Sequence, residues 1–294
     1  MRILNYGSLN IDETYAVPHF VQAGETLAPT AFARNTGGKG LNQSVALSRA
    51  GAKVYHAGCI GADGEFLTDF LTAAGVDCRF VRRVDTPTGR AIIQVVPAGQ
   101  NCILLYGGAN QAQREGDMRE TLSHFDAGDV LLLQNEINGI DFLVREAHAR
   151  GMRVALNPSP FDEGLLALPT EAIDYLILNE VEAAAMSGKE EPAAALRALR
   201  ARYPHANVLL TLGSQGSLYS GREGDFAQQA YRVRAVDTTG AGDTFTGYFL
   251  ASVSAGMPVP QAMELSARAA AVAVTRNGAA VAIPTPAEIA AFQF

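Results

Sequence analysis

From Val54 onward, short apolar runs of strand length alternate with segments of helical periodicity. The runs are Val54 to Cys59, Val130 to Gln134, Val154 to Leu156, Tyr175 to Leu178 and Val208 to Leu212. A strand buried on both faces reads as a continuous apolar run, and a helix between two such strands is the usual parallel crossover. The pattern predicts an α/β fold: a three-layer, doubly wound, mainly parallel sheet with helices on both faces. At 294 residues the chain can bury a substantial core, and no repeat, long linker or low-complexity tail divides it, so residues 1–294 read as one domain. An Ala-rich patch from Ala183 to Ala201 reads as helix surface. In open α/β sheets ligands collect beyond the carboxyl ends of strands, so Glu136, Asn157, Asn179 and Gly213 are expected to share one rim.

A second constraint comes from the small residues of Asp237-Thr238-Thr239-Gly240-Ala241-Gly242-Asp243. Upstream, Tyr231 to Val236 alternates as a strand would; downstream, Phe245, Phe249, Leu250 and Val253 recur at helical spacing until Gly256. The small residues are therefore expected where a helix begins. There, unpaired backbone N–H groups and the positive end of the dipole attract an anion, and glycines let it approach. Asp243 conflicts with that field. If the anion is a phosphoryl group in transit, its carboxylate can take the proton of an attacking hydroxyl; otherwise it caps the helix or complements its dipole.

Glycines open another predicted helix at Thr36-Gly37-Gly38-Lys39-Gly40-Leu41-Asn42-Gln43, with Leu41, Val45 and Leu47 or Ser48 inward and Gly51 at its end. It is not a Walker A loop, because Gly40 stands where that loop needs Ser or Thr. Upstream, Ile3 to Gly7 reads as a strand leading to Asn10 and Asp12, two positions that point the same way. The pair could hold sugar hydroxyls or simply make a turn. Residues 13–34, interrupted by Pro18 and Pro29, and residues 89–106, read as a hairpin across 97–101, predict a small β-sheet lid.

These stretches, in this order, resemble the signatures of the ribokinase-like (PfkB-type) carbohydrate kinases, most closely the ribokinase branch. The matching segments are Gly38-Lys39-Gly40-Leu41-Asn42-Gln43, Asn179-Glu180-Val181-Glu182, Thr211-Leu212-Gly213-Ser214-Gln215-Gly216 and Asp237 to Phe245, and the likeness runs from Asn10 to about Ala282. The resemblance implies transfer of the ATP γ-phosphoryl group to the 5-hydroxyl of D-ribose. It assigns the sugar to Asn10, Asp12, Gly38, Lys39, Asn42 and Glu136, and the base to Asp243. Backbone N–H groups of Gly240, Ala241 and Gly242 form its anion hole. It gives ATP to Asn179, Thr211, Gly213, Ser214, Gly216 and Gly242, and Mg²⁺, through water, to Glu182. A monovalent cation, K⁺, falls to Asp237, Thr239, Ala273, Arg276 and Gly278; where the family commonly offers one more hydroxyl, this chain has Ala282.

Other readings on the same fold are a kinase of another small sugar or a nucleoside, and a catalytically silent sugar- or nucleotide-binding regulator. A retained Asp243 speaks against the silent one. A dinucleotide-dependent dehydrogenase is excluded, because no Gly-x-Gly-x-x-Gly follows the first strand. A net charge of -7 without a long basic block argues against a nucleic-acid partner. No apolar run approaches membrane-spanning length and the N-terminus turns polar too soon for a signal peptide, so no membrane partner and a cytoplasmic location are expected. Cys59, Cys78 and Cys102 show no CxxC spacing and are expected reduced, and the five scattered histidines do not suggest a protein-caged zinc. A lid of short strands exposes sheet edges, which predicts a homodimer that pairs the lids.

Overall fold

The computed structural model of the protein describes residues 1–294. The chain opens with β1 (Ile3–Tyr6), passes into β2 (Asn10–Ala16) and returns as β3 (Ala31–Gly37) before α1 (Lys39–Arg49). A β4 (Val54–Ile60), α2 (Glu65–Ala73), β5 (Asp77–Arg83) unit follows, then a hairpin of β6 (Gly89–Val95) and β7 (Asn101–Tyr106). Alternation resumes with α3 (Glu115–Leu122), β8 (Val130–Gln134), α4 (Ile140–Ala149), β9 (Arg153–Asn157), β10 (Tyr175–Asn179), α5 (Glu180–Ser187), α6 (Pro192–Arg202) and β11 (Asn207–Thr211). The antiparallel strands β12 (Ser217–Gly221) and β13 (Gly224–Gln228) precede α7 (Ala241–Ser254), α8 (Val259–Ala273) and the short α9 (Pro286–Ala291).

The main sheet has nine strands in the order β13-β12-β11-β10-β9-β8-β1-β4-β5, all running one way except β12, which is antiparallel to both of its neighbours. Successive side chains of a strand leave opposite faces, and the core divides accordingly. Leu131 and Leu133 pack with Leu143 and Val144 of α4 on one side. Val130 and Leu132 pack with Leu41 and Val45 of α1 and Tyr248 of α7 on the other. Burying each such side chain stabilises the fold by roughly 1.5–3 kcal/mol, which makes helices on both faces mutually supporting. The expected three-layer, doubly wound architecture is present.

The small sheet has the order β3-β2-β6-β7. It begins earlier and ends later than residues 13–34 suggested. Asn10 and Asp12 are not in a turn but open β2, where they oppose Gly37 and Asn35 on β3, and Gly89 and Ala91 on β6. Their common direction follows from the strand period of two, as expected.

Other expectations need correction. Residues 231–236 belong to no sheet. Instead the segment runs against α8, with the Tyr231 hydroxyl on Glu264 (3.2 Å) and the Val236 N–H on Val274 O (2.7 Å). Its alternation records half-buried Tyr231 and Val233 beside exposed Arg232 and Arg234, which packing on a helix imposes as readily as a ladder does. Strands β5, β12 and β13 lack long apolar runs because they lie at or beside the sheet edges, where charged and polar residues protect the rim. The Ala183 to Ala201 patch is not all surface: Ala183 and Ala195 are buried in the core.

Candidate active site

Two glycine-opened helices meet at the carboxyl ends of the central strands. Helix α1 starts after Gly38 (φ 96°) and α7 after Gly240 (φ 74°), both left-handed backbone positions that glycine adopts without strain. At the start of α7 the N–H groups of Gly240 and Gly242 have no partner within the chain, whereas that of Ala241 donates weakly to Thr238 O (3.3 Å). Unpaired donors at the positive end of a helix are suited to an anion.

Asp243 is buried in the first turn of α7. Asn42 Nδ2 donates to its Oδ2 and Gln43 Nε2 to its Oδ1, each at 2.9 Å. Asn42 Oδ1 is buried without a partner in the chain. The sequence places Gln43 in a motif and Asn157 on the rim of the sheet, but gives Gln134 and Asn5, the next members of the amide network, no role. Their one sequence signal is a polar residue within or ending an otherwise apolar strand.

A cavity of about 540 Å³ brings together all six residues expected to hold the sugar: Asn10, Asp12, Gly38, Lys39, Asn42 and Glu136, with Asp243 at its floor. The lid contributes Ala91, Ile93, Ile103 and Leu105. Asn10 Oδ1 accepts from Asn110 Nδ2 (2.7 Å), which orients its amide. Burial, then the charges of Glu136 and Asp243, pushes the Asp12 carboxyl up to about 7. Glu136 already accepts from Ser8 Oγ and from the Lys39 N–H (3.0 Å) on one oxygen, so it also fastens the start of α1.

The next cavity, about 210 Å³, shares Lys39, Asn179, Glu182, Gly240 and Asp243 with the first and adds Gly242. Burial opposes the charge on the Lys39 ammonium, but Asp243, Glu136 and Glu182 outweigh it and raise its pKa. The segment Asn179-Glu180-Val181-Glu182 is a capping box: Asn179 Oδ1 accepts the Glu182 N–H (2.9 Å) and Glu182 Oε2 accepts the Asn179 N–H (3.0 Å). Glu182 thus keeps one carboxylate oxygen for another partner. No group of three or more His, Cys, Asp and Glu side chains forms a metal cage. Beyond lies a cavity of about 390 Å³ containing Thr211, Gly213, Ser214, Gly216 and Gly242, the remaining residues expected at the nucleotide, with apolar walls from Val233, Ala235, Ala270 and Val274. The three cavities form one groove over the start of α7.

The residues expected around a monovalent cation are only partly together. Asp237, Thr239 and Gly278 line a further cavity, which shares Asp12, Ile93 and Thr239 with the sugar cavity; Ala273 and Arg276 do not line it. Asp237 Oδ1 accepts from Thr239 N (2.9 Å) and Oγ1 (2.6 Å), and Oδ2 from Gly278 N (2.9 Å). Burial works against this carboxylate, but those bonds hold its pKa below the usual value. The Arg276 side chain pairs with Glu288 (2.8 Å), leaving only its carbonyl for a cation. The Asp237 carboxylate pairs with no basic side chain, and its partners are the Thr239 N–H and hydroxyl and the Gly278 N–H; carboxylate and carbonyl oxygens at this turn are the hard donors that K⁺ would take.

A sequence profile described as pfkB family carbohydrate kinase matches residues 2–286. Ribokinase from Haemophilus influenzae is 35% identical over 298 residues, covering 97% of this chain and 96% of that protein. Among solved structures, ribokinase from Cryptococcus neoformans in complex with ADP has a TM-score of 0.88 at 30% identity, covering 99% of this chain and 98% of the other. Arabidopsis thaliana ribokinase complexed with ribose and ATP has a TM-score of 0.86 at 28% identity, covering 99% and 97%.

Proposed function

The chain belongs to the pfkB family of carbohydrate kinases, and from this premise we propose that it transfers the γ-phosphoryl group of ATP to the 5-hydroxyl of D-ribose. One observation carries the reading: the Asp243 carboxylate, gripped by Asn42 and Gln43, lies between the cavity of Asn10 and Asp12 and the unpaired N–H groups that open α7. The relative crystallised with ribose and ATP supports the choice of substrates.

In this mechanism Asn10, Asp12, Gly38, Lys39, Asn42 and Glu136 hold the sugar. Asp243 takes the proton of the 5-hydroxyl as its oxygen attacks the γ-phosphorus, and the bond to the leaving ADP oxygen breaks. The N–H groups of Gly240 and Gly242, joined by that of Ala241 once its weak bond is exchanged, face the charge on the transferring group, and the Lys39 ammonium faces it from the sugar side. Asn179, Thr211, Gly213, Ser214 and Gly216 hold ATP. Glu182 would hold Mg²⁺ through water, and Asp237 with the carbonyls of Thr239, Ala273, Arg276 and Gly278 would hold K⁺; these ions supply charge neutralisation when bound. Three unpaired cysteines and the use of ATP support a cytoplasmic setting.

The test is ATP consumption by wild type and Asp243→Asn on D-ribose, 2-deoxyribose, fructose, ribulose and nucleosides, with Mg²⁺ and K⁺ present. Ribose is expected to give the highest kcat/KM and the substitution to cost about 10²–10⁴-fold in kcat. Unchanged turnover by Asp243→Asn sinks the base assignment; preference for another acceptor sinks ribose. A second reading, a nucleoside kinase, is favoured by Ile93, Ile103 and Leu105 in the sugar cavity, an apolar wall that suits a base. The nucleoside arm decides it.

A further inference from the structure

We propose that Gln43 is a positioning residue that holds the Asp243 carboxylate in register for proton abstraction, and that Gln134 fixes the orientation of Gln43. The inference rests on Asp243 being the base. Gln43 Nε2 donates to Asp243 Oδ1 and to Asn157 Oδ1, each at 2.9 Å. Asn42 takes the other carboxylate oxygen. With one amide on each oxygen, the plane of the carboxylate is set before any substrate arrives.

The direction of every amide in this network is dictated by backbone. Asn157 Nδ2 donates to Ile177 O (2.9 Å), so its oxygen must face Gln43. Asn5 Nδ2 donates to Gly40 O (2.7 Å) and to Ser44 Oγ (2.8 Å), so its oxygen must face Gln134. Gln134 Nε2 then donates to Asn5 Oδ1 (2.9 Å) and Gln43 Oε1 (2.7 Å). Reversing the Gln43 amide would set its carbonyl against both Asp243 and Asn157 and face its NH₂ toward that of Gln134, three repulsive contacts. Two main-chain carbonyls, at Gly40 and Ile177, thus aim a side chain at the proposed base.

Stability alone does not explain the arrangement. Gln134 Oε1 is buried without a partner, a destabilising feature that an apolar side chain would avoid. The network continues through Ser44 to Nδ1 of His56 (2.8 Å), whose ring burial pushes down to about 3, so this end adds no charge near Asp243.

The test separates positioning from a structural role. Gln43→Met keeps the bulk but removes both donors. It is expected to lower kcat about tenfold and to move the acid limb of the pH profile upward, since a donor to the ionised form is lost. Affinities for ATP and ribose, measured by titration calorimetry, should stay within about twofold, because the substrate contacts remain. Gln43→Glu, of the same size, serves if the Met variant does not fold; two carboxyls would share a proton and the limb should move further. Gln134→Met should shift the limb in the same direction by less. An inactive Asp243→Asn together with an unmoved acid limb in the folded Gln43 variant overturns the inference while leaving the base reading in place. Full turnover by Asp243→Asn overturns both.

Discussion

Gly247 and Ala46 mark the closest approach of α7 to α1: a Cβ on Gly247 would lie 2.3 Å from the Ala46 Cβ and 2.8 Å from the Leu47 nitrogen. That approach carries Asn42 and Gln43, one turn earlier on α1, to Asp243, one turn earlier on α7. In an ordinary helix Gly→Ala stabilises by about 1 kcal/mol. Here Gly247→Ala is expected to destabilise by about 1–3 kcal/mol through overpacking, and to lower kcat by parting the helices. Calorimetry and steady-state kinetics on one sample check both; a raised Tm would show that the contact is not a constraint.

Asp12 should link sugar binding to protons. Its carboxyl, raised to about 7, is largely protonated below that pH, while ligand hydroxyls donate to the ionised form. Ribose binding is therefore expected to release protons near pH 6–7 and to weaken as pH falls. In the free protein the sign is opposite: the folded state binds the extra proton, so this group's contribution to stability falls as pH rises from about 4 to 7. Asp12→Asn should raise Tm at pH 8 and lose the proton release. Titration calorimetry in two buffers of different ionisation enthalpy reads it, and equal heats would refute the linkage.

The lid is latched to the body at Asp63. Its carboxylate accepts from the Thr88 N–H (3.0 Å), Thr88 Oγ1 (2.7 Å) and Arg90 Nη2 (2.6 Å), and Arg90 also pairs with Glu13 on β2 (2.9 Å). Burial opposes its charge, but the bonds from Thr88 and Arg90 bring its pKa down to about 2. The stabilisation is present above the unfolded value near 4 and is lost as pH falls toward 2. Asp63→Ala should raise KM for the sugar far more than for ATP. Equal effects on the two would mean that Asp63 does not act through the lid.

Potassium is expected to activate. At matched ionic strength, replacing K⁺ by a bulky organic cation should lower kcat, and Ala282→Ser, which restores a hydroxyl, should reduce the K⁺ concentration for half-activation. No difference with and without K⁺ would remove the cation from the mechanism.

The lid is also the expected dimer contact. Phe32, Leu104 and Tyr106 are exposed on β3 and β7, the two edge strands of the small sheet, whereas Ile103 and Leu105 face the sugar cavity. Apolar residues on unpaired edges invite a second copy. Light scattering should give a dimer for the wild type and a monomer for Leu104→Asp. A monomeric wild type would end this reading.

Much of the fold was legible locally. The run Val130 to Gln134 is β8 residue for residue, and the helix starts at Lys39 and Ala241 follow the glycines that announce them. The capping box of Asn179 and Glu182 is written in four consecutive residues. These features depend on periodicity and on chemistry within one turn, which a chain carries wherever it lies. The same local evidence misled at 231–236, because a period of two does not say whether a sheet or a helix supplies the buried side. It was silent on Gln43 and Gln134 as well. The meeting of Gln43 with Asp243, 200 residues beyond it, and with Gln134 depends on β8 pairing with β1 and on a glycine that lets α1 and α7 touch. The sequence by itself determined the layered fold, the two glycine-opened helix starts and the residue types of the site. Only the tertiary structure decided which amide faces which carboxylate and how far burial lifts Asp12, because hydrogen-bond partners and dielectric surroundings arise from contacts between distant segments.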